Sequence, residues 1–300
     1  MTDKIPTHMK SIKTLFIAAF ALLMVGCGTS NTVPITGRKT RLLVSDAEIL
    51  SLSTQQYQEY MQGATLSTNQ TNTAMVKRVG QRLATAVVSF LTNNGYADEV
   101  QYFQWEFNLV NSSEANAFCM PGGKIVVYEG MLPLTQDEAS LAIVLGHEIA
   151  HAVAKHSAEQ LSKQTRQQYA AQVGGSLLSQ IAQKKGINSN TAALIDMVAQ
   201  TGFNFANLKY SRDNETEADH LGLIFAAMAG YDPQAAIPFW QRMSQLGTNT
   251  KSEIFSDHPS DEKRIAALQK LMPEALKYYT PAASATTTSA SQKKTSTKKK

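Results

Sequence analysis

Two histidines and a glutamate lie close together in the strongly apolar stretch Gly146–His151. In a helix, His147 and His151 lie one turn apart on the same face, because four residues separate them. Two imidazoles placed in this way can bind one Zn²⁺ ion at about 2.0–2.1 Å each. Glu148 points to the side of that axis, where it can take a proton from a water molecule at the metal and pass it to a leaving amine. The pattern therefore predicts a hydrolytic zinc site with Glu148 as the base.

A catalytic zinc ion takes three protein ligands and keeps one position open, so a third ligand must come from elsewhere in the chain. The acid-rich segment 214–220 offers candidates at the start of an apolar helix. Glu215 and Asp219 share one face of that helix. Glu215 can bind the metal, and Asp219 can accept the free N–H of a ligand imidazole. Glu217 lies on roughly the opposite face and is the alternative ligand, whereas helix N-terminal electrostatics would explain some of these acids without a metal.

Three further histidines follow His151 in the sequence and lie outside this constellation. His156 and His220 lack the spacing of the ligand pair, and we expect them to be surface or helix-packing residues. His258 precedes Pro259 in a polar loop. A fourth imidazole on zinc would occupy the open position, so we hypothesise a self-inhibited state in which His258 binds the metal. A hydrogen bond to the transition state and a plain helix-entry role are the alternatives for His258.

The elements that must position these residues are mostly helical. Apolar residues recur with helical spacing or follow capping signals, whereas two shorter runs have the composition of strands. A capping-box signature at Thr135–Glu138 opens a long helix that carries the His-Glu pattern. This helix is predicted to run from 135 through about 161, and further helices are predicted at 46–62, 74–93 and 212–229, with two more after 232 and 259; strands are predicted at 103–109 and 124–128. We therefore predict an α+β, mostly helical fold with a small β-sheet beside the helix of His147.

The charge balance argues against a nucleic-acid partner. The chain has 28 Lys+Arg and 24 Asp+Glu, a formal net charge of +4. Lysines concentrate at both ends, and residues 27–280 carry 20 basic and 23 acidic side chains. A mildly acidic folded part leaves no basic footprint for nucleic acid.

The N-terminus has the pattern of an export signal. The apolar run Leu15–Val25 follows a basic stretch and is too short to cross a bilayer as a helix, which takes about 20 residues. Gly26-Cys27 resembles the end of a bacterial lipoprotein signal, in which the cysteine is acylated and the peptide is cut before it. Gly28 is not the aspartate that retains such proteins in the inner membrane. We therefore expect a lipid anchor at Cys27 in the outer membrane, facing the periplasm. A soluble secreted protein with an incidental cysteine is the alternative.

These patterns divide the chain into four parts. Residues 1–26 are expected to be the signal peptide, 27–44 a tether, 45–280 the folded domain and 281–300 a disordered Lys/Ser/Thr-rich tail. Apart from Cys27 only Cys119 remains, so no internal disulfide is possible, and we interpret Cys119 as a small buried hydrophobe.

Five motifs occur in an order that resembles the HtpX/CAAX-prenyl-protease family of zinc metallopeptidases, and within it the LoiP-like branch of periplasmic lipoproteins. The resemblance covers roughly 45–275 and implies a zincin-type fold with one zinc ion. It implies His147, His151 and Glu215 as ligands, Glu148 as the base and Asp219 behind the ligands. Relatives often carry Ala-Leu where this chain has Cys119-Met120. The motifs are Asn116–Gly123, Gly146–His151, Tyr210–Asp219, Tyr231–Pro233 and His258–Arg264.

Proteases of this type are similar to one another in binding substrate as an extended strand beside the site. We expect an edge strand in this chain to hydrogen-bond the substrate backbone. Asn116 can add a polar contact, and an ordinary hairpin strand is the alternative. The expected substrate strand comprises Gly122, Gly123, Lys124, Ile125 and Val126.

The sequence thus favours a lipid-anchored periplasmic zinc endopeptidase, of the class EC 3.4.24, that cleaves damaged or misassembled envelope proteins. The alternative is a chaperone or adaptor for outer-membrane protein assembly in which proteolysis is secondary. A cell-wall amidase is a minor option. The Gln- and Ala-rich segment 164–200 is compatible with a lid over the cleft.

Overall fold

A computed structural model of the chain describes residues 29–173, 198, 202–246 and 262–281. The signal peptide, Cys27, His258, residues 282–300 and most of the predicted lid lie outside the described residues. The helices are α1 (Asp46–Gly63), α2 (Gln70–Asn93), α3 (Leu132–Thr135), α4 (Glu138–Val153), α5 (His156–Val173), α6 (Arg212–Met228), α7 (Ala236–Leu246) and α8 (Glu262–Ala275). The strands are β1 (Thr29–Thr32), β2 (Lys39–Leu42), β3 (Glu106–Val110), β4 (Ala117–Met120) and β5 (Lys124–Tyr128). The predicted α+β, mostly helical fold is confirmed.

Helix α4 lies at the centre of the main apolar core. Its aliphatic side chains pack against α2, α6, α7 and the sheet, and it is buried on every side along most of its length. Burial of such a side chain contributes roughly 1.5–3 kcal/mol, so the helix that carries the His-Glu pattern is also a main source of stability. Its buried aliphatic residues are Leu141, Ile143, Val144, Leu145, Ile149 and Val153.

The three-stranded sheet has the order β3-β5-β4. β5 pairs in parallel with β3 and antiparallel with β4. The outer edge of β3 is covered by the segment 65–67, because the Ser67 N–H donates to the Leu109 carbonyl at 2.9 Å and the Asn111 N–H donates to the Thr65 carbonyl at 2.8 Å. Within the described part of the chain, no further strand pairs with β4, which therefore borders the sheet.

Residues 29–44 are not a tether. β1 and β2 form an antiparallel hairpin, with Thr29 opposite Leu42 and Thr32 opposite Lys39. Val33 in the connecting turn is 0 % exposed and belongs to the main core. The predicted tether over 27–44 is thus wrong for its described part, because buried apolar residues fix this segment to the domain.

The predicted long helix through about 161 is broken in two. Its N-cap is Asp137, whose carboxylate accepts the Ser140 N–H at 2.7 Å, rather than Thr135. Helix α4 ends at Val153, and Lys155 adopts a positive φ of 58° before α5 begins at His156. Ion pairs of the Lys155 ammonium with Asp46 (2.8 Å) and Glu99 (2.7 Å) help to hold this unfavourable backbone conformation.

Among the described residues, no helix is long and apolar enough to cross a membrane.

Candidate metal centre

Three buried side chains on two helices present their ligand atoms to one point. His147 and His151 come from α4, and Glu215 comes from the first turn of α6. The Nε2 atoms of the two histidines are 3.1 Å apart, and each lies 3.4 Å from an oxygen of Glu215. A tetrahedral zinc ion with bonds of about 2.0–2.2 Å separates its ligand atoms by about 3.3–3.5 Å. The two separations of 3.4 Å lie in this range and the separation of 3.1 Å lies just below it, so the three groups fit such an ion after small side-chain shifts.

A close crossing of α4 and α6 brings the ligands together. A Cβ atom added at Gly146 would lie 2.7 Å from the Gly222 carbonyl oxygen, and one added at Gly222 would lie 2.8 Å from the backbone nitrogen of His147. Real Cβ atoms essentially never make such contacts with backbone. Two glycines are thus required for the helix separation that the metal cluster needs.

Gly222→Ala is expected to destabilise the fold by about 1–3 kcal/mol, because overpacking forces the two helices apart, and to reduce bound zinc. Urea unfolding and metal content measure the two effects. Gly63→Ala is the matched control, since a Cβ added at Gly63 in α1 meets nothing within 4 Å. Helix propensity alone would make alanine stabilising at position 222, so an unchanged or raised stability would contradict the close crossing.

The outer nitrogen of His147 is held by a buried ion pair. Its Nδ1 lies 2.9 Å from an Asp219 oxygen, and Arg264 of α8 donates to both oxygens of that carboxylate at 2.6 and 2.8 Å. The Arg264 guanidinium lies 3.6 Å from the ring centre of Trp240. This arrangement fixes the imidazole with Nε2 facing His151 and Glu215, and the role of Asp219 behind a metal ligand stays a prediction.

The electrostatics of the cluster favour a cation. Burial opposes charge on His147, but Asp219 and Glu215 outweigh it and raise the pKa of His147 to about 9. Burial also opposes charge on Asp219, yet Arg264 and His147 lower the pKa of its carboxyl. Burial and the neighbouring His147 lower the pKa of His151 well below its usual value. The carboxylates around His147 thus favour a positive charge at this ring, and a metal ion at Nε2 would supply that charge in place of a proton.

The second histidine of the possible metal site, His151, has two neighbours that were not predicted to act there. Its Nδ1 lies 2.8 Å from the Nδ1 of His156. The ring of Tyr210 stacks on it with centroids 4.0 Å apart and planes at 17°, while the Tyr210 hydroxyl lies 2.8 Å from the Ser157 hydroxyl. Of the two expectations for His156, the surface position is wrong, since the side chain is completely buried and packs against His151.

Neither Glu217 nor His220 belongs to the cluster. Glu217, the alternative ligand, accepts from His156 at 2.9 Å and from Arg38 at 2.7 Å, because it lies on another face of α6. His220 is partly exposed and lies 2.8 Å from Glu274. His258 lies outside the described residues, so its proposed role as a fourth ligand stays a prediction.

Glu148 lies on α4 directly after the first ligand and is 3 % exposed. It is not one of the three residues whose atoms converge, which suits a base better than a ligand. Its negative charge adds to burial in raising the pKa of both Cys119 and Tyr210. The carboxylate is therefore close to β4 and to Tyr210, and the interpretation of Cys119 as a buried hydrophobe agrees with its 4 % exposure.

The predicted substrate strand is wrong in its position. β5, with Lys124, Ile125 and Val126, is the central strand, so its backbone is paired on both sides. Gly122 and Gly123 form the β4–β5 turn with φ of 88° and 82°, and their carbonyls accept the N–H groups of residues 104 and 106 at 2.8 and 3.0 Å. None of these residues therefore lies on an open edge of the sheet where a substrate strand could pair.

The border strand β4 is the better candidate for substrate. It contacts α4 on one side and the turn Phe205–Asn207 on another. Asn116 lies at its start, where its Oδ1 accepts the Ala117 N–H at 2.8 Å. A substrate contact of Asn116 stays a prediction.

The fold and the site together define the class of this protein. A helix-rich α+β domain carries a His-Glu-x-x-His helix beside a small sheet, with a glutamate from a second helix completing a possible metal site. This is a metallopeptidase architecture of the zincin type.

The chain belongs to peptidase family M48, whose family model matches residues 70–272. It is 36% identical over 177 residues to the mitochondrial metalloendopeptidase OMA1 of Arabidopsis thaliana, covering 58% of this chain and 33% of the relative. Identity to human mitochondrial metalloendopeptidase OMA1 is 31% over 250 residues, 81% of this chain and 46% of the relative. The β-barrel assembly-enhancing protease of Escherichia coli is 26% identical over 264 residues, which cover 86% of this chain and 51% of the relative. The chain thus spans about half or less of the length of these relatives.

Proposed function

We propose that this protein is a zinc-dependent endopeptidase of the class EC 3.4.24 that is lipid-anchored in the outer membrane and cleaves damaged or misassembled envelope proteins in the periplasm. The observation that carries the proposal is the convergence of His147, His151 and Glu215 at tetrahedral spacing, with Glu148 on the same helix as the two histidines. His₂Glu is a ligand set of catalytic zinc, which leaves a fourth position open.

The chain's own residues suit peptide hydrolysis. When bound, Zn²⁺ supplies Lewis-acid polarisation of the scissile carbonyl and makes water acidic. Glu148 takes the proton of the attacking water and delivers it to the departing amine. Asp219 and Arg264 hold the His147 ring in place. His147, Glu148, His151 and Glu215 are all buried. Their burial excludes bulk water and strengthens the electrostatic interactions at the site.

The envelope location is part of the proposal and rests on sequence. The apolar run that ends at Gly26-Cys27 supports a lipid anchor, and Gly28 supports the outer membrane. Together with the LoiP-like motifs, this supports the branch of periplasmic lipoproteins. One relative is named as a protease that enhances β-barrel assembly, which supports unfolded envelope proteins as substrates. The border strand β4 can capture their backbone largely irrespective of sequence.

Removal of the metal tests the proposal most directly. The protein from residue 28 onward is expected to contain one zinc ion per chain and to cleave an unfolded protein such as casein. A chelator should abolish cleavage, because three side chains alone cannot activate water, and added Zn²⁺ should restore it. A preparation that binds zinc but cleaves no unfolded protein would contradict the proposed endopeptidase.

A further inference from the structure

A buried chain of side chains runs from His151 away from the metal cluster. If Nε2 of His151 is the ligand atom, its Nδ1 carries the proton and donates to Nδ1 of His156, 2.8 Å away. The other nitrogen of His156, Nε2, then carries a proton and donates to Glu217 at 2.9 Å. Each polar atom of these two rings is therefore used, and the order fixes the tautomer of both imidazoles.

The break between α4 and α5 makes this contact possible. In a continuous helix, residues five apart are rotated by about 140°, so His156 would point away from His151. The positive φ of Lys155 redirects the chain and turns the His156 ring back towards the ligand. Because the side chain of His156 is completely buried, an unpaired ring nitrogen there would be costly. The contact is thus built by an unusual backbone conformation.

The chain of contacts ends on the N-terminal hairpin. Glu217 accepts from the Thr36 hydroxyl at 2.5 Å and from Nε of Arg38 at 2.7 Å, and both donors lie in the turn between β1 and β2. The two other guanidinium nitrogens of Arg38 donate to Glu159 of α5 at 3.1 and 2.9 Å. Arg38 therefore clamps α5, which carries His156, to α6, which carries both Glu215 and Glu217.

We propose that His156 is a positioning residue for the zinc ligand His151, and that Thr36 and Arg38 of the N-terminal hairpin hold His156 in place through Glu217. The inference rests on the proposed zinc site. According to this inference, the N-terminal hairpin, which begins at Thr29 two residues after Cys27, helps to hold the metal site together. Partners behind a zinc ligand typically change metal affinity or activity by about 10–100-fold when they are removed.

Zinc affinity, measured by competition with a chromophoric chelator, tests the proposal independently of proteolysis. His156→Leu is expected to raise the zinc dissociation constant by about 10–100-fold. His156→Gln should recover most of this loss, because its amide offers an acceptor and a donor. Arg38→Ala is expected to raise the zinc dissociation constant by about tenfold. Lys39→Ala, an exposed change of the same charge on the same hairpin, should leave affinity unchanged.

Two further readouts separate positioning from stability. In the Co²⁺-substituted protein, the visible absorption bands should shift in His156→Leu and return in His156→Gln. Casein turnover should fall through kcat with little change in KM. Wild-type zinc affinity in both His156→Leu and Arg38→Ala, with only a lowered Tm, would overturn the inference. Normal affinity in Arg38→Ala alone would overturn the part assigned to the hairpin. If His156→Leu does not fold, His156→Phe takes its place, because its ring has a similar shape but no nitrogen; the same loss of zinc affinity, about 10–100-fold, is expected, and wild-type affinity in that variant would overturn the inference.

A failure of the proposed protease function gives a different result. A wild-type protein that binds zinc and cleaves nothing would contradict the endopeptidase, while the zinc affinities of the variants would still support or overturn the role of His156.

Discussion

Glu148→Gln is expected to lower the turnover of an unfolded protein substrate by about 10²–10⁴-fold, the usual contribution of a general acid–base group. Glutamine has the same size and cannot take a proton from water. Glu148 lies outside the converging ligand atoms, so zinc content and the thermal unfolding curve should stay close to those of the wild type. Cleavage of casein, with zinc measured on the same samples, gives both quantities.

Glu138→Gln is the matched control for this experiment. Glu138 lies at the other end of α4, where it pairs with Arg78 on the surface, and exposed ion pairs of this kind contribute little to stability. Its activity should therefore be close to that of the wild type. Residual activity of Glu148→Gln within a few-fold of wild type would exclude Glu148 as the base.

The same variant separates the two functions that the sequence left open. A protease loses its effect in cells together with turnover, whereas a chaperone or adaptor keeps its effect as long as it folds and binds. If an envelope defect caused by deletion of the gene were corrected by Glu148→Gln, binding rather than cleavage would be the main role. We expect no correction.

The parts of the site that depend on local spacing could be predicted from the sequence. His147 and His151 share a face because any helix places residues four apart together, and the same rule joins Glu215 and Asp219 on α6. The apolar surroundings of the first pair identified a buried helix. These predictions needed no knowledge of how distant segments meet.

The contacts that depend on distant segments could not be predicted. Arg264 reaches Asp219 from a helix 45 residues further along the chain, and nothing in either local pattern indicates this pair. His156 was dismissed because a spacing of five does not fit a continuous helix, and the break at Lys155 contains no glycine or proline to signal it. The extra histidine five residues after His151 was the only available clue.

The predicted position of the substrate strand was wrong for a related reason. Lys124–Tyr128 has the composition of any short buried strand, and composition does not distinguish a central strand from a border strand. Its place is set by parallel pairing with β3, which lies before β4 in the sequence. The polar hairpin at 29–42 likewise gives little signal, since only its long-range contacts with Glu217 and the core make it part of the fold.

The second large effect is expected at the third ligand. Glu215→Gln should raise the zinc dissociation constant by roughly 10²–10³-fold. Structural zinc contributes about 10–16 kcal/mol over four ligands, so loss of one ligand removes on the order of 3–4 kcal/mol, at 1.4 kcal/mol for each factor of ten. Chelator competition at constant pH measures this change, and cleavage should fall with zinc occupancy.

Glu217→Gln and Asp213→Asn make this test specific, because both lie on α6 close to Glu215 in sequence. Glu217 contacts His156 rather than the metal, so Glu217→Gln should lower zinc affinity by about tenfold or less. Asp213 is exposed in the first turn of α6, so Asp213→Asn should leave zinc affinity unchanged. If Glu217→Gln abolished zinc binding while Glu215→Gln kept it, the ligand assignment would be reversed. That outcome would require α6 to rotate by about half a turn, which the buried pair of Asp219 with Arg264 and the glycine contact at Gly222 oppose.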